Sequence, residues 1–455
     1  MKFYHKNRPS LIGLSMLALV CGTACKKSFY TDVNSNPNAP APTSIVPKVL
    51  LSSIEGGLAY TQGGDLSRFS SLNLQQVKGI SRQAQGYYVY TYTSQDFDNA
   101  WGNIYAAVQE NDDVLLQLSD AKGYHAYAGI ARILRAYALQ LTVDTWGSVP
   151  YSKALKGAAN LKPSYDNDKA LYDTIGKLLD DGIANLENTD AGLLTPGDED
   201  VIYGGKSRPW IKFAHAIKAR LYIHQSKGNP TMAVNAMNEI AQSFGSNADN
   251  AQYIFGTTET SANPWYQFNE QRGDISFSSG EVEAMMEDLH DPRLPILIDT
   301  TIASDGDGLL YYGAIDAPVE FISYDELLFA TAELVLRQGG SIAEARAAYQ
   351  SAIRANMSKL GVKDADIDAY IAANGELPQT PADAIGKIAD QEYLALYLSP
   401  EAWTLWRRTN RPALTPVTGT NLPRRLLYPQ TEYSTNKANV PASITLFSPK
   451  IFWDN

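Results

Sequence analysis

Apolar residues recur at helical spacing along most of the chain. In residues 124–144, for example, one predicted helix face contains Ile130, Leu134, Ala138 and Leu141. Asp168 and Ser341 are of the type that caps the start of a helix, and each precedes such a pattern. The periodicity predicts helices over residues 98–118, 124–144, 168–186, 209–226, 231–244, 323–338, 342–360 and 381–398.

The predicted helix 342–360 contains a repeat signature. Its small and aromatic positions follow the order A-x3-Y-x2-A-I, at Ala345, Tyr349, Ala352 and Ile353. This order is typical of the second helix of a tetratricopeptide unit, in which small residues let the paired helix approach closely. The predicted antiparallel partner is helix 323–338. No strict period of about 34 residues runs through the chain, so the repeats are degenerate.

Long segments without helical periodicity separate the predicted helices. They cover residues 45–97, 187–208, 245–280, 299–322 and 409–455. Loops of this length are usually functional or disordered, and their Tyr, Trp, Asn and Gly content favours ordered surface loops. Short strands are predicted at 87–93, 296–301 and 309–313. The predicted fold class is therefore mostly α, with tetratricopeptide-like helical hairpins, long irregular loops and a few short strands.

The first residues are typical of an export signal. Basic residues precede an apolar run from Leu11 to Val20, which is shorter than the ~20 residues that span a bilayer. Small residues then lead to Cys25, as in a bacterial lipobox whose cysteine is lipidated; ordinary secretory cleavage is the alternative. We expect a signal peptide over 1–24, a lipidated Pro/Asn-rich tether over 25–44 that attaches the protein to a membrane, and a single domain over 45–455.

The composition restricts the class of ligand. The 455 residues include 38 Lys and Arg against 49 Asp and Glu, which gives a formal net charge of −11. Because an acidic surface repels phosphate backbones, we expect no nucleic-acid partner. The chain has 27 Tyr but only 13 Phe and 7 Trp. Tyrosine combines an apolar face with a polar edge, which suits contact with amphipathic ligands.

Motifs of common catalytic and cofactor sites are absent from the sequence. It contains no G-x-S-x-G, P-loop, G-x-G-x-x-G, C-x-x-C or H-E-x-x-H motif. His215 and His224 lie nine residues apart on one predicted helix and point to opposite sides, so they cannot share a metal from that helix. We therefore expect no catalysis and no cofactor.

Two acidic features leave alternatives open. Neighbouring carboxylates occur at Asp112/Asp113, Asp180/Asp181 and residues 198–200, and a glycosidase could use such a pair if its members were suitably spaced. Most adjacent acids are simply solvated, so this is the minor alternative. The segment from Asp305 to Gly308 resembles part of a calcium loop but lacks the bidentate glutamate near its end. A turn is the favoured interpretation, and a structural calcium ion is the alternative.

The segment from Asn263 to Arg272 is the predicted ligand-binding loop. It combines the rings of Trp265 and Tyr266 with the amide of Asn269 and the guanidinium of Arg272. Sugar rings have apolar C–H faces and hydroxyl rims, so stacking rings together with amide and guanidinium groups would match them. The alternative is that these rings cover the helices beneath them.

A second aromatic cluster precedes the first predicted helix. If residues 87–93 form a strand, Tyr88, Tyr90 and Tyr92 share one face and Tyr87 points away. Tyr88 and Tyr90 are therefore further candidate ligand contacts, with packing again as the alternative. Tryptophans on helices are predicted to be core residues, namely Trp101, Trp210, Trp403 and Trp406.

Six segments, in order along the chain, resemble landmarks of the SusD/RagB-like family of outer-membrane nutrient-binding lipoproteins. They are 32–40 (DVNSNPNAP), 144–152 (DTWGSVPYS), 291–295 (DPRLP), the helix 323–338, 401–409 (EAWTLWRRT) and 422–432 (LPRRLLYPQTE). The resemblance implies a helical scaffold of tetratricopeptide-like hairpins whose long loops form the ligand face.

The resemblance also implies a role. Members of this family are lipid-anchored at the outer membrane, facing the cell exterior, where they bind oligosaccharide or sometimes peptide. They deliver it to a TonB-dependent barrel transporter of the SusC-like type. The competing hypotheses are a glycoside hydrolase with an unrecognised carboxylate pair and a scaffold that only holds other proteins.

Overall fold

Helices form most of the structure. The computed structural model describes residues 46–188, 193–302 and 308–454. Each helix predicted from the apolar pattern is present, with ends that differ by a few residues, so the predicted fold class is confirmed. The first α-helices are α1 (Pro47–Thr61), α2 (Ser67–Asn73), α3 (Arg82–Tyr88), α4 (Asp98–Gly102), α5 (Glu110–Lys122), α6 (His125–Trp146), α7 (Asp168–Glu187), α8 (Ser207–His224) and α9 (Pro230–Ile240).

The remaining helices follow the same rules of periodicity and capping. They are α10 (Pro264–Gln271), α11 (Glu281–Asp288), α12 (Leu294–Leu297), α13 (Tyr324–Arg337), α14 (Ile342–Lys359), α15 (Asp364–Asn374), α16 (Pro381–Ala395), α17 (Glu401–Thr409) and α18 (Gln430–Thr435). Two π-helical turns, Gln62–Leu66 and Asn103–Gln109, link α1 to α2 and α4 to α5. Single 3-10 turns span Ser94–Phe97, Gly157–Ala159, Asn247–Asp249, Glu259–Ser261 and Tyr311–Gly313.

The hairpin α13–α14 confirms the tetratricopeptide-like prediction. Ser341 forms a capping box with Glu344, whose backbone N–H donates to Ser341 Oγ (3.2 Å) while its carboxylate accepts from Ser341 N–H (2.9 Å). The ring of Tyr349 lies edge-on to Phe329, 6.2 Å between centroids. The four signature residues are fully buried and join one core cluster with α13, α15 and α16.

Helices α1 and α2 contradict the prediction of an irregular segment over 45–97. Glycines and small polar residues occupy buried positions here and hide the apolar period. A β-carbon at Gly63 would overlap the side chain of Val319, so the glycine lets the chain pass close to a strand. Ser67 is likewise fully buried. Its hydroxyl donates to the carbonyl of Leu398, so this buried polar group has a hydrogen-bond partner. Local propensity is overridden by packing in this segment.

The strands are short and antiparallel. Strand β1 (Lys78–Gly79) pairs with β5 (Ile275–Ser276), β2 (Val149–Pro150) with β3 (Tyr165–Asp166), and β4 (Ala251–Ile254) with β6 (Pro318–Ile322). Of the predicted strands, 296–301 and 309–313 contribute only a single bridge between Ile298 and Leu309. The predicted strand at 87–93 is wrong, because Tyr87 and Tyr88 end helix α3.

The segment after α17 is largely irregular, as predicted, yet it is anchored in the core. Trp453 is buried and its indole N–H donates to Asp144 (3.1 Å), while Tyr428 donates to the carbonyl of Ser148 (2.6 Å). These bonds tie the last residues to the end of α6. The four tryptophans predicted to be core residues are buried, with Trp210 fully enclosed.

Several predictions fall outside the described residues. They are the signal peptide 1–24, Cys25, the tether 25–44 and the candidate calcium turn at Asp305 and Asp307. Residues 47–455 form one compact unit. Among the described residues, no helix combines the length and the apolar character that crossing a bilayer requires.

Candidate functional site

The ribbon of β1 and β5 joins the chain just before α3 to the chain just after α10. Lys78 pairs with Ser276, and the backbone N–H of Ile80 donates to the carbonyl of Asp274 (2.8 Å). The start of α3 therefore lies against the end of α10. A β-carbon at Gly79 would overlap the carbonyl of Ala84, so glycine is required for this close turn.

Helix α10 begins at a strong start signal. Asn263 is buried, and its side-chain oxygen accepts from the backbone N–H groups of Trp265 (2.7 Å) and Tyr266 (3.4 Å). Pro264 occupies the first helical position, where its missing N–H has no cost. The predicted ligand loop is therefore a short, capped helix.

Trp265 lies in the core, which corrects the prediction that it stacks on a ligand. Its side chain is 2 % exposed, and its indole N–H donates to Ser67 Oγ (2.9 Å). The ring lies edge-on to Phe277, 5.7 Å between centroids. A ring this deeply buried has no exposed face on which a sugar could stack.

Two guanidinium groups approach the ring of Phe268. Arg68 is 4.7 Å and Arg272 is 5.7 Å from the centroid of its ring. Both distances are within the range of cation–π attraction. Arg68 is also paired with Asp65, which accepts a further hydrogen bond from Asn99 (2.6 Å). This stack fixes Arg272 at the end of α10.

A buried carboxylate joins α10 to α3. Asp274 is 1 % exposed and accepts from Arg272 through Nε (2.8 Å) and Nη2 (2.6 Å). Arg82 approaches the same carboxylate at 3.4 Å, while 65 % of its side chain stays exposed. Two arginines thus face one buried acid where the two segments meet.

Of the remaining predicted contacts, two share a helix face and one lies beyond the helix end. Tyr266 and Asn269 are three residues apart on α10, whereas Arg272 follows Gln271, the last helical residue, in an extended conformation. Tyr266 and Asn269 are half-buried. The side-chain oxygen of Asn269 is itself buried and has no hydrogen-bond partner within the described part of the chain. We call Tyr266 and Asn269 on the helix, together with Arg272 and Arg82 where α10 ends against the start of α3, the α10 surface.

Tyr88 and Tyr90 do not form the predicted strand face. Tyr88 is half-buried at the end of α3, and burial, together with nearby Tyr90 and Glu281, raises the pKa of its hydroxyl. Tyr88 therefore stays a neutral hydrogen-bonding group at physiological pH. Tyr90 is 8 % exposed, has φ of +63°, and accepts from the backbone N–H of Val417 (3.3 Å). Its ring is a packing element, which corrects its assignment as a ligand contact.

Tyr87, in the last turn of α3, stacks on Tyr92. Their ring centroids are 4.6 Å apart at 14°, and the Tyr87 hydroxyl donates to Asp96 (2.8 Å). Burial would raise the pKa of Asp96, but hydrogen bonds led by Thr93 N–H lower it below its ordinary value. The charged carboxylate thereby holds this end of the aromatic cluster in place.

The acidic pairs considered for hydrolysis have structural partners. Asp112 is fully buried and bound to Arg135 (2.6 Å), which also contacts Asp113 (3.2 Å). Asp200 accepts from backbone N–H groups and from the indole of Trp210 (2.7 Å). These carboxylates stabilise helices and turns.

The histidines also take part in buried pairs. His224 is fully enclosed between Tyr172 (2.8 Å) and Glu401 (2.8 Å), and His215 lies 2.6 Å from Glu239. Over the described ranges, no group of three His, Cys, Asp or Glu side chains is arranged to hold a metal ion.

Sequence reasoning missed Arg68 and Arg82. Both lie in the segment that was predicted to be irregular, far along the chain from α10. No local pattern could have found them, because their contacts with Phe268 and Asp274 join residues far apart in sequence.

Most of the chain matches the sequence model of one protein family. Residues 37–429 match the model of a SusD-like family described as starch-binding and associating with the outer membrane. The chain belongs to the SusD-like family. A comparison with curated proteins finds no match.

Solved structures of SusD-like proteins share the fold. A SusD/RagB family protein from Bacteroides thetaiotaomicron has a TM-score of 0.72 at 22% identity, over 90% of this chain and 99% of that one. A chitin-binding SusD homologue from Flavobacterium johnsoniae has a TM-score of 0.74 at 22% identity, over 88% and 98%. Another protein, named as chitin-binding, has a TM-score of 0.77 at 22% identity, over 90% and 100%.

Proposed function

We propose that this SusD-like protein binds an oligosaccharide at the α10 surface and releases it unchanged. The observation that supports this most strongly is the family match over residues 37–429, with its description as starch-binding. The names of two structural relatives as chitin-binding agree with a glycan ligand.

The chemistry of the α10 surface suits a sugar. The half-buried ring of Tyr266 offers an apolar face for C–H groups. Asn269 lies on the same helix face as Tyr266 and is half-buried, so its side-chain amide would lie beside a sugar stacked on that ring. Arg82 and Arg272 supply N–H donors, since each keeps part of its side chain in solvent.

Affinity electrophoresis tests this proposal. Native gels containing soluble starch or glycol chitin should retard the mature protein, and Tyr266→Ala should migrate faster in the retarding gel. One lost stacking contact costs about 1–3 kcal/mol, by analogy with bases stacked on aromatic side chains. Tyr222→Ala, at a half-buried tyrosine on α8, is the matched control and should be retarded like the wild type. Equal retardation of all three proteins would remove Tyr266 from the site.

A glycoside hydrolase can be distinguished from a binding protein by its reaction products. Incubation of the retarding glycan with the protein should leave the number of reducing ends unchanged, because the paired acids near Asp112 and Asp200 serve structural partners. New reducing ends that disappear in an acid-to-amide variant would establish the glycosidase instead.

Delivery to a TonB-dependent barrel transporter at the outer membrane completes the proposal. The family description as associating with the outer membrane supports this location. A lipid on Cys25 would hold the domain there, facing the cell exterior. Co-purification from detergent-solubilised membranes should recover a barrel protein together with this chain; recovery of the chain alone would favour a free binding protein.

A further inference from the structure

A second pocket lies away from the α10 surface, between α11, α14, α15 and α16. Its volume is about 300 Å³. Met285 and Leu289 form apolar walls, and the fully buried Tyr349 lies at its base. This size is at the lower end of the roughly 300–1,000 Å³ typical of small-molecule sites.

One buried amide in this pocket lacks a partner. Gln391 lines the pocket and is 3 % exposed. The hydroxyl of Tyr370 donates to one end of its side chain (2.8 Å), whereas the amide nitrogen has no partner within the described ranges. Reversing the amide would leave the other end unpaired, so one hydrogen-bonding atom is unsatisfied in either orientation. Buried polar groups are normally hydrogen-bonded, and this one therefore points to a bound group.

The other polar groups in this pocket include both donors and acceptors. Lys387 and Asp390 lie on the same face of α16 as Gln391. The ammonium group of Lys387 donates to the carbonyl of Glu376 (2.8 Å) and retains two further N–H bonds. Asp390 is held by Arg411, whose Nε donates to it at 2.9 Å.

We propose that this pocket binds one hexose-sized polyhydroxy compound, independently of the α10 surface. Hydroxyl groups both donate and accept, so they match a site with an amide, an ammonium and a carboxylate in reach of each other. The C–H face of a sugar ring would lie against Met285 and Leu289. The amide of Gln391 would bond a hydroxyl, which satisfies the group that lacks a partner.

Saturation-transfer NMR with monosaccharides tests the pocket. The probes are D-glucose, D-galactose, D-mannose and N-acetyl-D-glucosamine, each added to the full mature chain. At least one should receive saturation from the wild type. Lys387→Ala should raise its Kd roughly tenfold or more, the effect expected for a lost hydrogen bond to a charged group. Gln391→Glu should also weaken binding, because it keeps an acceptor for Tyr370 and removes the amide N–H.

Matched variants assign the signal to one surface. Lys363→Ala changes the same charge at an exposed position and should bind like the wild type, as should Tyr266→Ala. If Gln391→Glu fails to fold by circular dichroism, Lys387→Ala decides alone, since this lysine lies half-exposed at the rim. No signal from any of the four sugars, or one unchanged in Lys387→Ala, would overturn the proposal. A signal lost in Tyr266→Ala but kept in Lys387→Ala would also overturn it and would support the α10 surface instead.

Discussion

Gly79 controls how closely helix α3 approaches the strand before it. Replacing it by alanine would push a β-carbon into the carbonyl of Ala84. We expect Gly79→Ala to lower the free energy of unfolding by about 1–3 kcal/mol, as overpacking does. Gly102→Ala is the control, because beyond its chain neighbours and its own helix backbone no atom lies within 4 Å of the added β-carbon, and alanine favours a helix. Urea denaturation measures both, and equal stability changes would contradict the close approach.

Trp265 is a second residue whose role the structure changes. Because its ring is enclosed and bonded to Ser67, Trp265→Ala should cost about 3–5 kcal/mol of stability, as for other buried aromatic residues. Trp265→Phe should cost less, since it keeps a ring and loses mainly the hydrogen bond. Thermal and urea unfolding provide the measurement. A Trp265→Ala protein with wild-type stability but weaker glycan binding would return this ring to the ligand site.

At the scale of elements, a buried ion cluster joins α13 to α17. Glu333 accepts from Arg337 (2.6 Å) and Arg408 (2.7 Å) and is 1 % exposed. Burial alone would raise the pKa of Glu333, but Arg408 and Arg337 lower it to about 2. The lowered value means that the charged carboxylate stabilises the folded state.

This cluster predicts a pH-dependent stability difference. The contribution of Glu333 is present above the ordinary pKa of 4.5 and is lost as the pH falls toward 2. Glu333→Gln should therefore destabilise by about 3 kcal/mol or more at pH 7, as loss of one member of a buried pair does, and by less at pH 3. Urea denaturation at both pH values measures this, with exposed Glu187→Gln as control. A difference that does not shrink on acidification would contradict the assigned ionisation.

The sequence predicts elements best where apolar residues alone make the packing surface. Helix α14 is such a case, since Tyr349 and Ala352 mark its buried face. The prediction from apolar spacing fails around α1 and α2. Here Gly63 is buried by close approach to Val319, and Ser67 is buried with a hydrogen bond to Leu398. At the α10 surface, Tyr266, Asn269 and Arg272 were predicted, but Arg82 was missed and the burial of Trp265 was not foreseen, because both depend on contacts that local sequence does not specify.

For the whole molecule, the proposed anchor gives a direct test. Cys25→Ser should remove lipid attachment, so the protein should lose incorporation of labelled palmitate and move from the membrane fraction to the soluble fraction. The folded domain should keep its glycan retardation in native gels, because residues 47–455 form a compact unit on their own. Membrane retention of Cys25→Ser without lipid would contradict anchoring at this cysteine.

Hydrogen–deuterium exchange with a bound oligosaccharide tests the central claim most directly. The ligand would be a starch- or chitin-derived oligosaccharide that matches the retarding glycan. Binding at the α10 surface should slow exchange over 264–272 and 81–88, where α10 meets the start of α3. Protection confined to other segments, with these two unchanged, would contradict the α10 surface as the glycan-binding site.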